Sequence, residues 1–322
     1  MDHQRLIASK GELSRRLFLL GTSSTAFALA CSPQNQSAKS ESINNLRYLK
    51  TGFADGLISP TTLTIGSPQR APFFLYGSDG IPIVNNVPEL ISATLQFPSG
   101  KSIEVNLNKF DEGIPTPYFP LFFETNEIGL HKISYLIDGN VQSLSFIVAK
   151  RDENNLIQIG EQLRDSQIPT FDNPLNFAVI CTRFDPCPYH SVTLKEALAN
   201  TLPTALLIST PGFCQTSICG PSLEILINLL GENPDFNVIH AEVYTDPEKI
   251  SQSSNLQDLL SPVINDYRMT FEPSFITANS QNEVTARLDY AFDKSEMEAA
   301  ISTISLSFVH IHKSFVRLDY QY

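Results

Sequence analysis

The chain has 322 residues, a net charge of −12 and a sequence pI near 4.9. That acidity argues against a nucleic-acid surface, which needs clustered positive charge to meet phosphates. The length exceeds what one hydrophobic core usually organises, so two folded regions are expected.

Residues 1–31 read as an address rather than a fold element. Ser14-Arg15-Arg16-Leu17-Phe18-Leu19 resembles a twin-arginine export signal, with Arg15 and Arg16 as its pair. The apolar run from Leu17 to Ala30 is broken by Gly21 and a Thr/Ser cluster. It is shorter than the ~20 apolar residues of a membrane span. It closes on Ala28-Leu29-Ala30-Cys31, which carries two readings. The Ala-x-Ala pattern suits an ordinary signal peptidase. The cysteine after Ala30 resembles that of a lipobox, with Leu29 one place later than the usual leucine, and lipidation of Cys31 is the expectation. Either reading places the mature protein outside the cytoplasm, where disulfides persist. Residues 32–47, rich in Ser, Gln, Asn and Lys, read as a flexible tether.

Residues 48–150 read as all-β. Ala93-Thr94-Leu95-Gln96-Phe97 and Ile103-Glu104-Val105-Asn106-Leu107 alternate around a Pro98-Ser99-Gly100-Lys101 turn. The runs 129–137 and 141–148 flank Asp138-Gly139-Asn140, a hairpin turn signal. Short strands at this spacing suggest a small immunoglobulin-like sandwich, with no cysteine inside it. His131 alternates within a strand and is expected at an exposed or edge position. The region reads as a binding or spacing module.

Residues 151–175 form a connector, charged at first and carrying Pro169 and Pro174 later, with a short helix expected near Gly160 to Arg164. In residues 176–304, Phe177-Ala178-Val179-Ile180 reads as a strand leading into Cys181. Cys181 and Cys187 span a proline-bearing loop, for which a local disulfide is the expectation in an oxidising compartment. A metal site using Cys181, Cys187 and His190 lacks a visible fourth ligand, and the spacing matches no zinc pattern. A redox relay with Cys214 and Cys219 is the other reading. Thr193 and Glu196 have capping-box spacing at the head of a helix. Ala205-Leu206-Leu207-Ile208 reads as a buried strand. The loop bearing Cys214 and Cys219 follows, and then an apolar helix stopped by Gly231 and Pro234. Phe236 to Tyr244 reads as a parallel strand, completing a βαβ unit. A short helix is expected within Leu256 to Val263. A hairpin over 274–288 follows, and then a helix capped by Asp293 with Glu296 three residues on.

Phe213-Cys214, Cys219-Gly220-Pro221 and their strand–helix setting resemble the active-site region of thioredoxin-like proteins. The departure is four residues between the cysteines where thioredoxins have two. The resemblance covers about Asn176 to Ile304 and implies an α/β thioredoxin-like domain (βαβ, then ββα) behind the immunoglobulin-like sandwich. It implies a redox-active Cys214–Cys219 disulfide, with Cys214 as nucleophile and Cys219 as resolver, and a cis proline at Pro273 packed against the pair. It also implies exchange with protein thiols and disulfides and no cofactor or metal; the export signal places that exchange outside the cytoplasm, with Cys31 as the expected membrane anchor, and the acidic charge argues against nucleic acid. A thiol at a helix N-terminus supports this chemistry, because unpaired backbone N–H groups favour its thiolate. Two alternatives stand beside it. One is a redox-silent binding protein with structural disulfides. The other is copper handling, since Sco-type assembly proteins are thioredoxin-like, membrane-bound and carry two cysteines in a similar loop; Glu272-Pro273 stands where those proteins use a histidine. The tail, 305–322, carries His310 and His312 at alternate positions, a conceivable metal pair without a partner nearby.

Overall fold

The computed structural model describes residues 46–52, 62–214 and 217–305. Arg15, Arg16, Cys31, His310 and His312 lie outside the described residues. The described residues belong to one compact unit.

Its N-terminal part is two packed antiparallel sheets. One orders β1 (Tyr48–Thr51), β2 (Gln69–Tyr76) and β5 (Tyr118–Phe123) as β1-β2-β5. The other orders β3 (Leu90–Gln96), β4 (Ser102–Asn108), β6 (Gly129–Ile137) and β7 (Asn140–Val148) as β4-β3-β6-β7. Period-two alternation points Ile91, Ala93 and Leu95 inward from β3. They meet Phe73, Leu75, Phe119 and Leu121 of the opposite sheet in a shared core. The β6–β7 turn needs two left-handed residues, and Asp138 (φ 51°) and Gly139 (φ 76°) supply them. β5 carries no alternation, because five of its six residues are buried. Its Pro120 faces Pro72 of β2, so both missing donors fall at one rung of the ladder.

His131 corrects an expectation. It is fully buried, ringed by Phe97, Phe123 and Phe146 at 5.4–6.0 Å between ring centroids. Alternation places it on the inward face with Ile133 and Tyr135, and desolvation pushes its pKa down.

The C-terminal part is a four-stranded sheet between helices. β8 (Thr204–Ile208) lies parallel to β9 (Asn237–Ala241) and antiparallel to β10 (Ser274–Ala278), which pairs with β11 (Val284–Asp289). β8 is buried on both faces. Ala205 and Leu207 pack with α2 (Cys219–Leu230) and α4 (Lys294–Ser305). Leu206 and Ile208 pack on the other side with α1 (Leu194–Ala199) and α3 (Pro262–Tyr267). The Thr193–Glu196 capping box closes the start of α1, and Gly231 (φ 52°) ends α2.

The strand expected at 177–180 does not form. Pro174 and Leu175 (φ 52°) turn the chain there, and the outer edge of β9 is taken by Tyr189 instead: His240 N–H donates to its carbonyl at 3.1 Å. Gly160–Arg164 is not helical, since a turn at Gly160 leads into a β-bridge between Gln162 and Glu283, and the helix expected within 256–263 is a 3-10 turn at Leu256–Leu259 followed by α3.

Sandwich and mixed sheet are fastened together. Arg70 of β2 reaches Glu296 of α4 at 2.6 Å through Nε, donates to Asp289 O at 3.0 Å, and also bonds Ala291 O. Tyr118 of β5 donates to the same carboxylate. Glu296 thus leaves the reciprocal half of its capping box unmade, while Asp293 still accepts from its backbone N–H at 3.0 Å. Arg70 and Glu296 are nearly buried, and the partner carboxylate holds the Arg70 pKa above its ordinary value despite desolvation.

Candidate functional site

Three chain segments meet at one edge of the C-terminal sheet. Ile208 ends β8, Ala241 ends β9, and Ser274, which begins β10, pairs with Ile208. Parallel strands leave a crevice at their carboxyl ends, where α/β sheets commonly bind and react. Ser209 to Cys214, Glu242 and Glu272-Pro273 therefore converge there by topology. The Glu272–Pro273 bond is cis.

Cys214 and Cys219 form a disulfide across this edge, with Cα atoms 6.0 Å apart. Cys219 is the first residue of α2 and is fully buried. Cys214 is only partly buried, and Phe213 beside it is 45% exposed. The Cys214 side of the bond is therefore the less buried one.

Glu272 supplies the charge chemistry. Its Oε2 accepts the Thr210 backbone N–H at 2.6 Å and lies 3.6 Å from Cys219 Sγ. Burial pushes this carboxyl up to about 7, against the Thr210 N–H that favours the anion. A proton donor and acceptor poised near neutrality therefore touches the buried sulfur. In the sequence Glu272 is marked only by its place beside Pro273, where Sco-type proteins use a histidine. The available signal was a carboxylate beside a proline expected against the cysteine pair.

A further carboxylate, the fully buried Glu242, follows β9. It accepts from Thr182 N–H at 2.6 Å and Thr182 Oγ1 at 2.9 Å, and burial pushes it up to about 7 as well. Thr182 Oγ1 also accepts the Gly212 N–H at 3.0 Å. A Cβ on Gly212 would sit 2.6 Å from Thr182 O, so only glycine permits this approach of the 181–190 loop to the disulfide loop.

Cys181 and Cys187 differ from expectation. They are free buried thiols rather than a loop disulfide. Both sulfurs face His240 Nδ1, at 3.9 Å and 3.5 Å, and His190 joins them. The Cys187 thiol above all, and then His190 and His240, draw the Cys181 pKa down against the opposing effect of burial, while Cys187 is pushed up beside it. Glu272 lies with Cys214 and Cys219, and Pro273 follows it just before β10; Cys181 and Cys187 form a separate cluster. In the sequence His240 is marked only as a strand residue, because its cysteine partners lie more than fifty positions away in the chain.

A scan against protein-family models and a search of curated proteins both find nothing that matches this chain.

Proposed function

We propose that this protein is a thiol–disulfide oxidoreductase of thioredoxin-like type, working on protein thiols and disulfides outside the cytoplasm. The observation that carries the reading is the position of the Glu272 carboxylate, 3.6 Å from the sulfur of buried Cys219, in a disulfide whose other cysteine is only partly buried. A purely structural staple has no use for a titrating carboxyl beside one sulfur, and strongly shifted groups gather where protons move.

The exchange runs as follows. A substrate thiolate attacks Cys214 Sγ, the Cys214–Cys219 bond breaks, and Cys219 leaves with the electron pair. Glu272 in its acid form protonates the departing thiolate. A second substrate thiolate then attacks the substrate sulfur of the mixed disulfide and releases Cys214 as thiolate. The substrate is oxidised by two electrons and the protein reduced. In reverse, Cys214 thiolate attacks a substrate disulfide, Glu272 carboxylate takes the Cys219 proton, and Cys219 resolves the intermediate. The relative potentials of protein and substrate set the direction. Half-exposed Phe213 offers an apolar contact beside the attacking sulfur. The export motif at Arg15-Arg16 and the cysteine at 31 support a membrane-tethered location.

Copper handling is the weaker reading. Cu(I) prefers soft ligands, whereas the third group at this pair is the carboxylate of Glu272. The histidine on the neighbouring strand, His240, is committed to Cys181, Cys187 and Ser209. Alkylation trapping tests the proposal. Cys219→Ser should accumulate mixed disulfides with client proteins through Cys214, and Cys214→Ser should accumulate none. Equal absence in both variants would leave the disulfide as a staple.

A further inference from the structure

We infer that Cys181, Cys187, His190 and His240 bind one tetrahedral metal ion of the zinc class, independently of the disulfide site. One ligand atom from each of the four lies within 4.8 Å of all the others. Bond lengths of 2.3 Å to sulfur and 2.0–2.1 Å to nitrogen give tetrahedral sulfur–nitrogen edges of about 3.5 Å. The edges from His240 Nδ1 are 3.5 Å to Cys187 and 3.9 Å to Cys181.

The histidines are arranged for this role. His240 Nε2 lies 3.2 Å from the Ser209 carbonyl, which accepts its proton and leaves the Nδ1 lone pair aimed at the sulfurs. Metal-bound histidines are oriented in this way by the bond their other nitrogen makes. His190 is the independent observation. It is 1% exposed, and neither ring nitrogen has a hydrogen-bond partner. An imidazole so buried and unsatisfied is destabilising unless something accepts its lone pair. Its ring stands 5.2 Å from that of His240, centroid to centroid. The Cys187 N–H donates to Cys181 Sγ at 3.4 Å, a bond that favours a thiolate.

Charge and coordination define the class. Two thiolates neutralise a divalent ion, and two neutral imidazoles complete an S₂N₂ set, which suits zinc. Binding releases two thiol protons and involves no electron transfer. All four ligands are buried and come from protein, so no position is left for substrate and the site is structural. It would tie residues 181–190, which have no helix or strand, to β9. Thr182 lies on that segment, so the metal would brace the contact between Thr182 and the disulfide loop at Gly212.

The test uses the whole chain, purified under reducing-agent-free anaerobic conditions with Cys214–Cys219 left oxidised, so that pair offers no thiolates. Elemental analysis should find about one zinc per chain, and cobalt(II) added to chelator-stripped protein should give the intense bands of tetrahedral thiolate ligation. His190→Ala should weaken zinc affinity at least ~10-fold, the size already seen for loss of mere supporting groups. The wild-type measurements decide even if that variant fails to fold. Zinc below ~0.1 per chain after loading with excess metal, octahedral cobalt, or a Cys181–Cys187 disulfide in the native protein would each overturn the inference.

Discussion

Glu272→Gln separates a working carboxyl from a merely packed one. The amide keeps the side chain's shape and can still accept the Thr210 N–H held at 2.6 Å, but it neither gives nor takes a proton at Cys219. Positioned acid–base groups contribute ~10²–10⁴-fold, so disulfide exchange should slow by ~100-fold or more. The pH profile is the sharper readout. Burial sets the carboxyl at about 7. Reduction of Cys214–Cys219 needs its acid form, so the rate, corrected for the reductant's thiolate fraction, should fall as pH rises through about 7. Resolution by Cys219 needs the anion and should rise over the same range. Both inflections should vanish in the variant. Stability gives an independent check of the same shift. The native state holds this proton to about 7 while the unfolded chain releases it near 4.5. Stability therefore falls as pH climbs between these values, by at most on the order of 3 kcal/mol from Glu272, and Glu272→Gln should flatten that share, leaving that of Glu242. The chain has no tryptophan, so the assay is acid quench, alkylation and mass spectrometry rather than intrinsic fluorescence. Unchanged rates and an unchanged profile in Glu272→Gln would refute the acid–base role.

Gly212→Ala would place a Cβ 2.6 Å from Thr182 O; thermal melts should show a loss of ~1–3 kcal/mol, typical of overpacking, with faster reduction of the loosened disulfide loop. Glu296→Gln leaves Arg70 buried without its counter-charge, and denaturant unfolding should register a loss of about 3 kcal/mol or more. Replacing Arg15 and Arg16 together with Lys should hold unprocessed protein in the cytoplasm, and Cys31→Ala should release a soluble mature form; normal export of the first or membrane fractionation of the second would remove the corresponding assignment.

Local physics was readable in the sequence. The alternation of Ile91, Ala93 and Leu95, the Asp138-Gly139 turn, the Thr193–Glu196 box and the Gly231 stop each depend on residues within a few positions of one another. What escaped depends on distant parts of the chain. β5 reads as an apolar run because partners on both sides bury it, so no alternation marks it. His131 looks polar in isolation and is accommodated only by three phenylalanines from elsewhere. Glu296 has the spacing of a capping residue, but Arg70, far upstream, claims its side chain. The Cys181–Cys187 pair invites a disulfide until the fold brings His240 against both sulfurs. At the Cys214–Cys219 edge the cysteines and the proline stood out by type, whereas the role of Glu272 required the β8–β10 pairing that sets it against Cys219.

The central claim is that Cys214–Cys219 exchanges rather than staples. Equilibrating the protein in graded glutathione or dithiothreitol buffers, with alkylation and mass spectrometry as readout, gives its reduction potential. Redox-active pairs span about −270 to −120 mV, and the Cys214–Cys219 pair should fall in that range. A potential below about −300 mV, where structural disulfides lie, would contradict the claim and leave the pair as a staple.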